Sequence, residues 1–367
     1  MYDFLIVGAG LFGSTCAAEL TKAGLRCLVV EKSEKVGGTA ATEVRDEMVI
    51  HLHGTHVFHT RSARIWEYMQ QWAEWLPYVH KQATNVDGRL VSIPINLKTF
   101  EDLLGTEFSE DSAKLFVQKE TEKYRSEKND SIEGWCLRNI GPTLFEAIIK
   151  GHTESFWGRR CAELPAAIVK RLPVRFMRDD SYFGIDTYQG VPSGGYTPMM
   201  IRMLQYSDLV FGVDYLKDKK VLRGLAENVI YTGRLDEYFG FKHGRLDYRG
   251  TEASHVRHLS EQLFPVATVT YQNGTYVRST EHRHFEKPKL RSEFSWVTYE
   301  LPSSLSATHP VRTQESMKIQ SNYEERFSDS PGMYFGGRLA SYLYMDMDQT
   351  VASALAMVRS LLTKRRS

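Results

Sequence analysis

Asp3-Phe4-Leu5-Ile6-Val7-Gly8-Ala9-Gly10-Leu11-Phe12-Gly13 is a short apolar run that breaks into the pattern G-x-G-x-x-G. The run reads as a buried strand, and a helical pattern from Ser14 to Lys22 follows it, with Gly24 near the end. A second strand, Arg26 to Val30, terminates in Glu31. Strand, glycine turn, helix and strand in this order predict a dinucleotide-binding βαβ unit. Its glycines allow a tight turn and close approach of backbone to a pyrophosphate, which rests against the positive end of the helix. Glu31, eighteen residues after Gly13, is placed to accept hydrogen bonds from the adenosine ribose, and its charge repels a 2′-phosphate.

Beyond the acid, Lys32-Ser33-Glu34-Lys35-Val36-Gly37-Gly38-Thr39 resembles the R-x-x-x-G-G extension of flavoproteins with the glutathione-reductase-type FAD fold. Two later strands also end in glycine: Val229-Ile230-Tyr231-Thr232-Gly233 and Tyr334-Phe335-Gly336-Gly337-Arg338. The second precedes Asp346-Met347-Asp348 and a helix to about Leu362, where such flavoproteins lay a helix N-terminus near the flavin. The resemblance therefore implies FAD.

Composition sets the limits around this unit. A chain of 367 residues should fold as two or three domains, and 42% apolar residues supply a core. Lys and Arg number 46 against 45 Asp and Glu, which argues against nucleic acid or a membrane surface as the main partner. Cys16, Cys27, Cys136 and Cys161 lie far apart and read as reduced, buried thiols. The apolar run at Phe4–Val7 is too short for a signal peptide, and no stretch approaches the ~18 residues of a membrane span. A cytoplasmic protein is expected.

The fold class expected is α/β: a Rossmann-like FAD-binding domain with a helical insert and an antiparallel β-sheet domain. Residues 1–80, 192–242 and 316–367 are assigned to the first, 100–165 to the helical insert, and 81–99, 166–191 and 243–315 to the sheet. The hairpin signal Asn273-Gly274 follows Ala267–Tyr271 within that last segment.

Motifs scattered from residue 3 to about 355 resemble those of bacterial UDP-galactopyranose mutase. They include Gly54-Thr-His56-Val-Phe-His59, Pro94-Ile-Asn96, Lys150-Gly-His152-Thr-Glu-Ser-Phe-Trp157 and Lys170-Arg-Leu-Pro-Val-Arg175-Phe176. Others are Tyr188-Gln-Gly-Val-Pro-x-Gly-Gly-Tyr196, Leu246-Asp-Tyr-Arg249, Tyr276-Val-Arg278 and Gly337-Arg338-Leu-x-x-Tyr342-x-Tyr344-x-Asp346. The resemblance implies a redox-neutral use of reduced FAD, with an external reductant such as NAD(P)H or a reduced flavin. Flavin N5 attacks the anomeric carbon of a nucleotide hexopyranose, the nucleoside diphosphate leaves, and the sugar opens and recloses as a furanose. It also implies a homodimer.

By the same resemblance Arg175 (on a mobile lid), Arg249 and Arg278 hold the diphosphate, as guanidinium forks suit phosphate oxygens. His59, with Arg175 and Arg278, is a candidate catalytic residue. Asn96, His152, Trp157, Tyr188, His309, Tyr344 and Asp346 are candidates for substrate. Gly8, Gly10, Leu11, Phe12, Gly13, Glu31, Lys32, Gly38 and Thr39 are candidates for FAD, joined by His56, His59, Thr232, Gly233, Gly337, Arg338, Tyr344, Asp346 and Met347. The four histidines from His51 to His59 lack a carboxylate or cysteine pattern beside them, so no metal is expected.

Several positions depart from the family. His152 stands where uridine-using members place a tyrosine against uracil, Ile148 and Ile149 where they place aromatics, and His309 where a tyrosine contacts the diphosphate. The substrate thus stays open between UDP-galactose, a GDP- or dTDP-linked sugar such as fucopyranose, and UDP-N-acetylgalactosamine. A histidine touching phosphate as imidazolium would make nucleotide affinity fall as pH rises through ~6–7. Two other classes share parts of the pattern. An amine-oxidase-type flavin oxidoreductase would lack the clustered arginines, and a non-catalytic protein like the GDP dissociation inhibitors would lack a working flavin segment.

Overall fold

The computed structural model describes residues 1–170, 172–184, 187–285 and 292–366. Arg171 of the lid motif, and 185–186 and 286–291 of the expected sheet segments, lie outside them. The chain divides into two compact units: Met1–Pro77, Gly190–Tyr248 and Ala307–Ser367 form the first, Tyr78–Gln189 and Arg249–Ser306 the second. The helical stretch 100–165, expected as a domain of its own, falls in one unit with the sheet, and 307–315 falls in the first unit. Within that unit Leu97–Leu104 packs on the strand Arg89–Ile93, while Glu110–Thr121, Ile132–Asn139 and Gly141–Phe145 pack on one another.

In the first unit five parallel strands lie in the order Asp208–Val210, Cys27–Val30, Tyr2–Val7, Ala226–Tyr231, Met333–Phe335. Leu5, Ile6, Val29, Val229 and Ile230 have no exposed surface. Such runs are apolar throughout because helices or loops cover both faces of a parallel sheet. The helices Leu11–Lys22, Tyr196–Leu204 and Met347–Arg366 pack together on one face through Phe12, Cys16, Leu20, Met199, Met203, Val351 and Val358. Tyr215, Leu222 and Tyr238 cover the other. The first helix starts at Leu11, before the apolar periodicity becomes readable at Ser14, so Gly13 lies in its first turn. A Cβ on Gly13 would sit 2.0 Å from the Gly8 carbonyl oxygen, a contact only glycine avoids.

The second unit holds a sheet in the order Tyr248–His258, Ser295–Ser303, Arg278–Glu281, Thr268–Tyr271, Gln82–Val86, Arg89–Ile93. It is antiparallel except where Thr268–Tyr271 runs parallel to Gln82–Val86. Thr268–Tyr271 and Arg278–Glu281 flank Asn273-Gly274 as a hairpin, as its sequence predicts. Thr270, Arg278 and Glu300 stand opposite one another in register. The helix Gly151–Trp157 follows a π-helical turn, Glu146–Lys150, that Gln272 ties to the sheet by donating to the Ile148 carbonyl (2.9 Å) and Thr84 Oγ1 (2.8 Å).

All four cysteines are buried free thiols, their pKa pushed up by burial, to about 12 at Cys27 and Cys161. Among the described residues no helix is long and apolar enough to cross a membrane.

Candidate functional site

A cleft of about 320 Å³ opens in the first unit at the carboxyl ends of its parallel strands. Gly8, Gly10, Leu11, Phe12 and Gly13 of the fingerprint line it, with Glu31, Lys32, Gly38 and Thr39 from the segment that follows the second strand. Thr232 and Gly233 enter from the Ala226–Tyr231 strand, and Gly337, Arg338 and Met347 from the last crossover. His56 completes the group. At its floor the helix Leu11–Lys22 has Gly10 as N-cap and no side-chain cap, which leaves the first-turn N–H groups for an anion. The nearest atom to a Cβ built on Gly10 is 3.8 Å away. A pyrophosphate fits both features.

Glu31 is fixed at the wall. Its Oε2 accepts from the Ala9 N–H (2.7 Å), and its Oε1 accepts from the Ser33 N–H and hydroxyl (2.9 Å each). Burial works to raise the pKa of Asp214, but its pair with Lys32 at 3.0 Å and the Leu216 N–H together outweigh that and lower it. Asp214, Tyr215 and Leu216 also line the cleft, and no motif announced them.

His59, Tyr344 and Asp346 are outside this lining. His59 Nε2 stands 3.9 Å from Asp346, and its Nδ1 lies 3.4 Å from the Val57 carbonyl. His309 stacks on Tyr344 with ring centroids 5.5 Å apart. Arg338 Nη1 approaches His309 Nε2 at 3.4 Å, so that nitrogen is the acceptor, since guanidinium only donates. Arg338 also donates to the carbonyls of Met345 and Thr308.

The three expected arginines all belong to the second unit, and each is held by its own surroundings. Arg278 forms a two-pronged pair with Glu300 (Nε 2.6 Å, Nη2 2.7 Å), a carboxylate with no exposed surface that Thr251 also supports at 2.9 Å. Arg175 is bonded to the carbonyls of Asp179 (3.1 Å) and Ser181 (2.5 Å) and paired with the Asp179 carboxylate at 3.3 Å. The segment around it is fastened too: Arg175 N–H donates to Ile95, Met177 accepts from Leu97, and Arg178 grips Glu101. These bonds tie the described part of the expected lid, around Arg175, as a strap. Arg249 Nε donates to the Phe156 carbonyl (3.1 Å), at the C-terminus of Gly151–Trp157, where a cation suits the helix dipole.

The surroundings of His152 favour its neutral form. Its Nδ1 lies 3.1 Å from the Val277 carbonyl, which can only accept, so Nδ1 carries the proton. Desolvation first, and the Arg278 charge second, push its pKa down to about 4. Both effects work against the imidazolium reading at this residue. The ring stacks on Phe156, which in turn meets the buried Trp157 edge-on. Ile148 and Ile149 are core residues. Asn96, expected against substrate, is wholly buried as an N-cap. Its side chain accepts from Lys98 N–H (2.8 Å) and donates to Ser92 and Pro94. Tyr188 is 44% exposed at the start of the strand Tyr188–Pro192. Among the described residues no group of three His, Cys, Asp or Glu side chains is gathered to hold a metal ion.

Sequence reasoning missed Glu300 and Asp179. A cross-strand register announces the first, and i,i+4 spacing the second.

A family model described as UDP-galactopyranose mutase matches residues 147–344, and one described as an NAD(P)-binding Rossmann-like domain matches 6–72. A "Probable UDP-galactopyranose mutase" of Klebsiella pneumoniae is 32% identical over 96% of this chain and 93% of its own. A dTDP-fucopyranose mutase of Escherichia coli is 28% identical over 97% of each. Among solved structures, a reduced UDP-galactopyranose mutase superposes with a TM-score of 0.77 at 13% identity, covering 99% of this chain and 96% of that one. That last likeness concerns the fold alone.

Proposed function

The chain belongs to the UDP-galactopyranose mutase family, a family of isomerases, and we propose that it interconverts the pyranose and furanose forms of a nucleotide-diphosphate hexose, UDP-galactose first. FAD is the cofactor assigned to the cleft, with the pyrophosphate on the Leu11–Lys22 N-terminus, the ribose at Glu31, and His56, Thr232 and Arg338 along its length. When bound and reduced, it supplies a nucleophilic nitrogen to the sugar.

The observation that carries the reading is the arginine set of the second unit. A diphosphate that parts from its sugar and must be kept for the return needs fixed, charge-assisted donors. Arg278 oriented by Glu300, Arg249 on a helix end and Arg175 in its strap answer that need. His59, Tyr188, Tyr344 and Asp346 are assigned to orienting sugar and flavin, and Trp157 to excluding water. Asn96 caps the helix Leu97–Leu104 and supports that segment of its own unit. A cytoplasmic homodimer kept active by NAD(P)H or a reduced flavin completes the proposal.

Arg175→Ala and Arg278→Ala should each lose nearly all turnover while retaining FAD. Arg278→Ala also strands the buried Glu300, costing about 3–5 kcal/mol. Arg278→Lys, which keeps a charge beside Glu300, separates folding from function. Activity of any of the three within a few-fold of wild type overturns these roles.

A second reading, the same chemistry on a dTDP-linked 6-deoxyhexose, is favoured by the neutral His152 in place of a base-stacking tyrosine and by the dTDP-fucopyranose mutase relative.

A further inference from the structure

Two loops of the first unit meet the cleft beside the glycine fingerprint. One runs from Val36 to Thr42 and contributes Gly37, Gly38, Thr39 and Ala40; the other contributes His56. Loops that approach a ligand through backbone need their shape set from behind. Both are gripped by one turn of chain, the start of the helix Tyr196–Leu204.

The phenol of Tyr196 accepts from the Phe58 N–H (2.9 Å) and donates to the His56 carbonyl (3.1 Å). One residue on, the Thr197 hydroxyl accepts from the Thr42 N–H (2.9 Å) and donates to the Val36 carbonyl (3.0 Å). The Thr197 N–H returns a bond to Thr42 Oγ1 at 3.1 Å. The Thr197 hydroxyl thus bridges the two ends of its loop, and the Tyr196 hydroxyl clamps the chain either side of Val57, each using its donor and an acceptor lone pair. Tyr196 has no exposed surface, and its ring meets His51 and Trp75 edge-on. The turn is brought this close by Gly195, at φ +95°, where a Cβ would lie 2.3 Å from Thr42 Oγ1.

We propose that Tyr196 and Thr197 are positioning residues for the cofactor: two adjacent hydroxyls that fix the shape of both loops and so set how tightly, and in what electrostatic setting, the cleft holds its dinucleotide. Neither lines the cleft. The inference rests on the reading of that cleft as an FAD site.

Tyr196→Phe removes one hydroxyl and keeps the ring; Thr197→Val removes the other, and Thr197→Ser restores it. The FAD dissociation constant and the flavin midpoint potential are measured on full-length protein, alongside thermal stability. Tyr196→Phe and Thr197→Val should each weaken FAD binding by about ten-fold or more, as expected when a buried N–H and carbonyl lose their partner, and shift the potential. Thr197→Ser should match wild type in both. Wild-type FAD affinity and potential in Tyr196→Phe and Thr197→Val, whatever their melting temperatures, would overturn the inference. If Tyr196→Phe does not fold, the two Thr197 variants decide it alone. Wild-type protein that binds no FAD overturns the cleft reading itself, a distinct result.

Discussion

At the scale of single residues, His152 has the clearest consequence for pH. A histidine whose pKa falls from 6.5 to about 4 on folding is neutral in the native protein while the unfolded chain still takes up a proton. Its contribution to stability is therefore whole above pH ~6.5 and is lost as pH falls towards 4. His152→Phe should remove this component, so its stability relative to wild type improves steadily between pH 6.5 and 4 and is constant above 7. Urea unfolding at pH 5 and pH 8 checks it, and parallel pH dependences of the two proteins would contradict it. Nucleotide affinity between pH 6 and 8 should carry no titration from this ring. Nothing local to Lys150-Gly151-His152 announces that outcome, because burial and the Arg278 charge impose it, against the Val277 carbonyl, which raises the pKa, and both Val277 and Arg278 lie some 125 residues away in sequence.

Among elements, the helix Gly151–Trp157 is where backbone geometry and a candidate ligand group meet. Gly158 caps it at φ +63°, and a Cβ there would fall 2.6 Å from Arg249 Nη2. Gly158→Ala should both strain the cap, by about 1 kcal/mol, and drive the guanidinium off the Phe156 carbonyl. Nucleotide affinity, read by titration with UDP, should fall by about an order of magnitude with FAD content unchanged. Unchanged UDP affinity would remove Arg249 from the diphosphate site. The first βαβ unit was legible because its signals are local: an apolar strand, glycines at fixed offsets and a terminal acid. Even there the helix begins at Leu11, since glycines carry no hydrophobic periodicity. Asn96 shows the opposite case, a polar residue whose partners, Ser92, Pro94 and Lys98, are all close in sequence and make it a cap.

For the molecule as a whole, the net charge of +1 conceals a local arrangement. Two of the arginines expected at one diphosphate are already matched by Glu300 and Asp179, so the acid count that balances the chain also orients its cations. The division into two units was only partly readable, because helices and sheet in 78–189 and 249–306 form one compact unit through contacts distant in sequence, which composition does not reveal. Substrate identity is the least legible property, resting on His152 and His309 at positions where the resemblance leads one to expect aromatic rings. The most direct test of pyranose–furanose isomerisation is product analysis by chromatography. Dithionite-reduced protein is incubated with UDP-galactopyranose and, in parallel, with dTDP- and GDP-linked fucopyranose. The account predicts a nucleotide furanose from at least one of them, UDP-galactose before the others, and none when the protein is kept oxidised; no furanose from any of the three, or equal conversion by the oxidised protein, would contradict it.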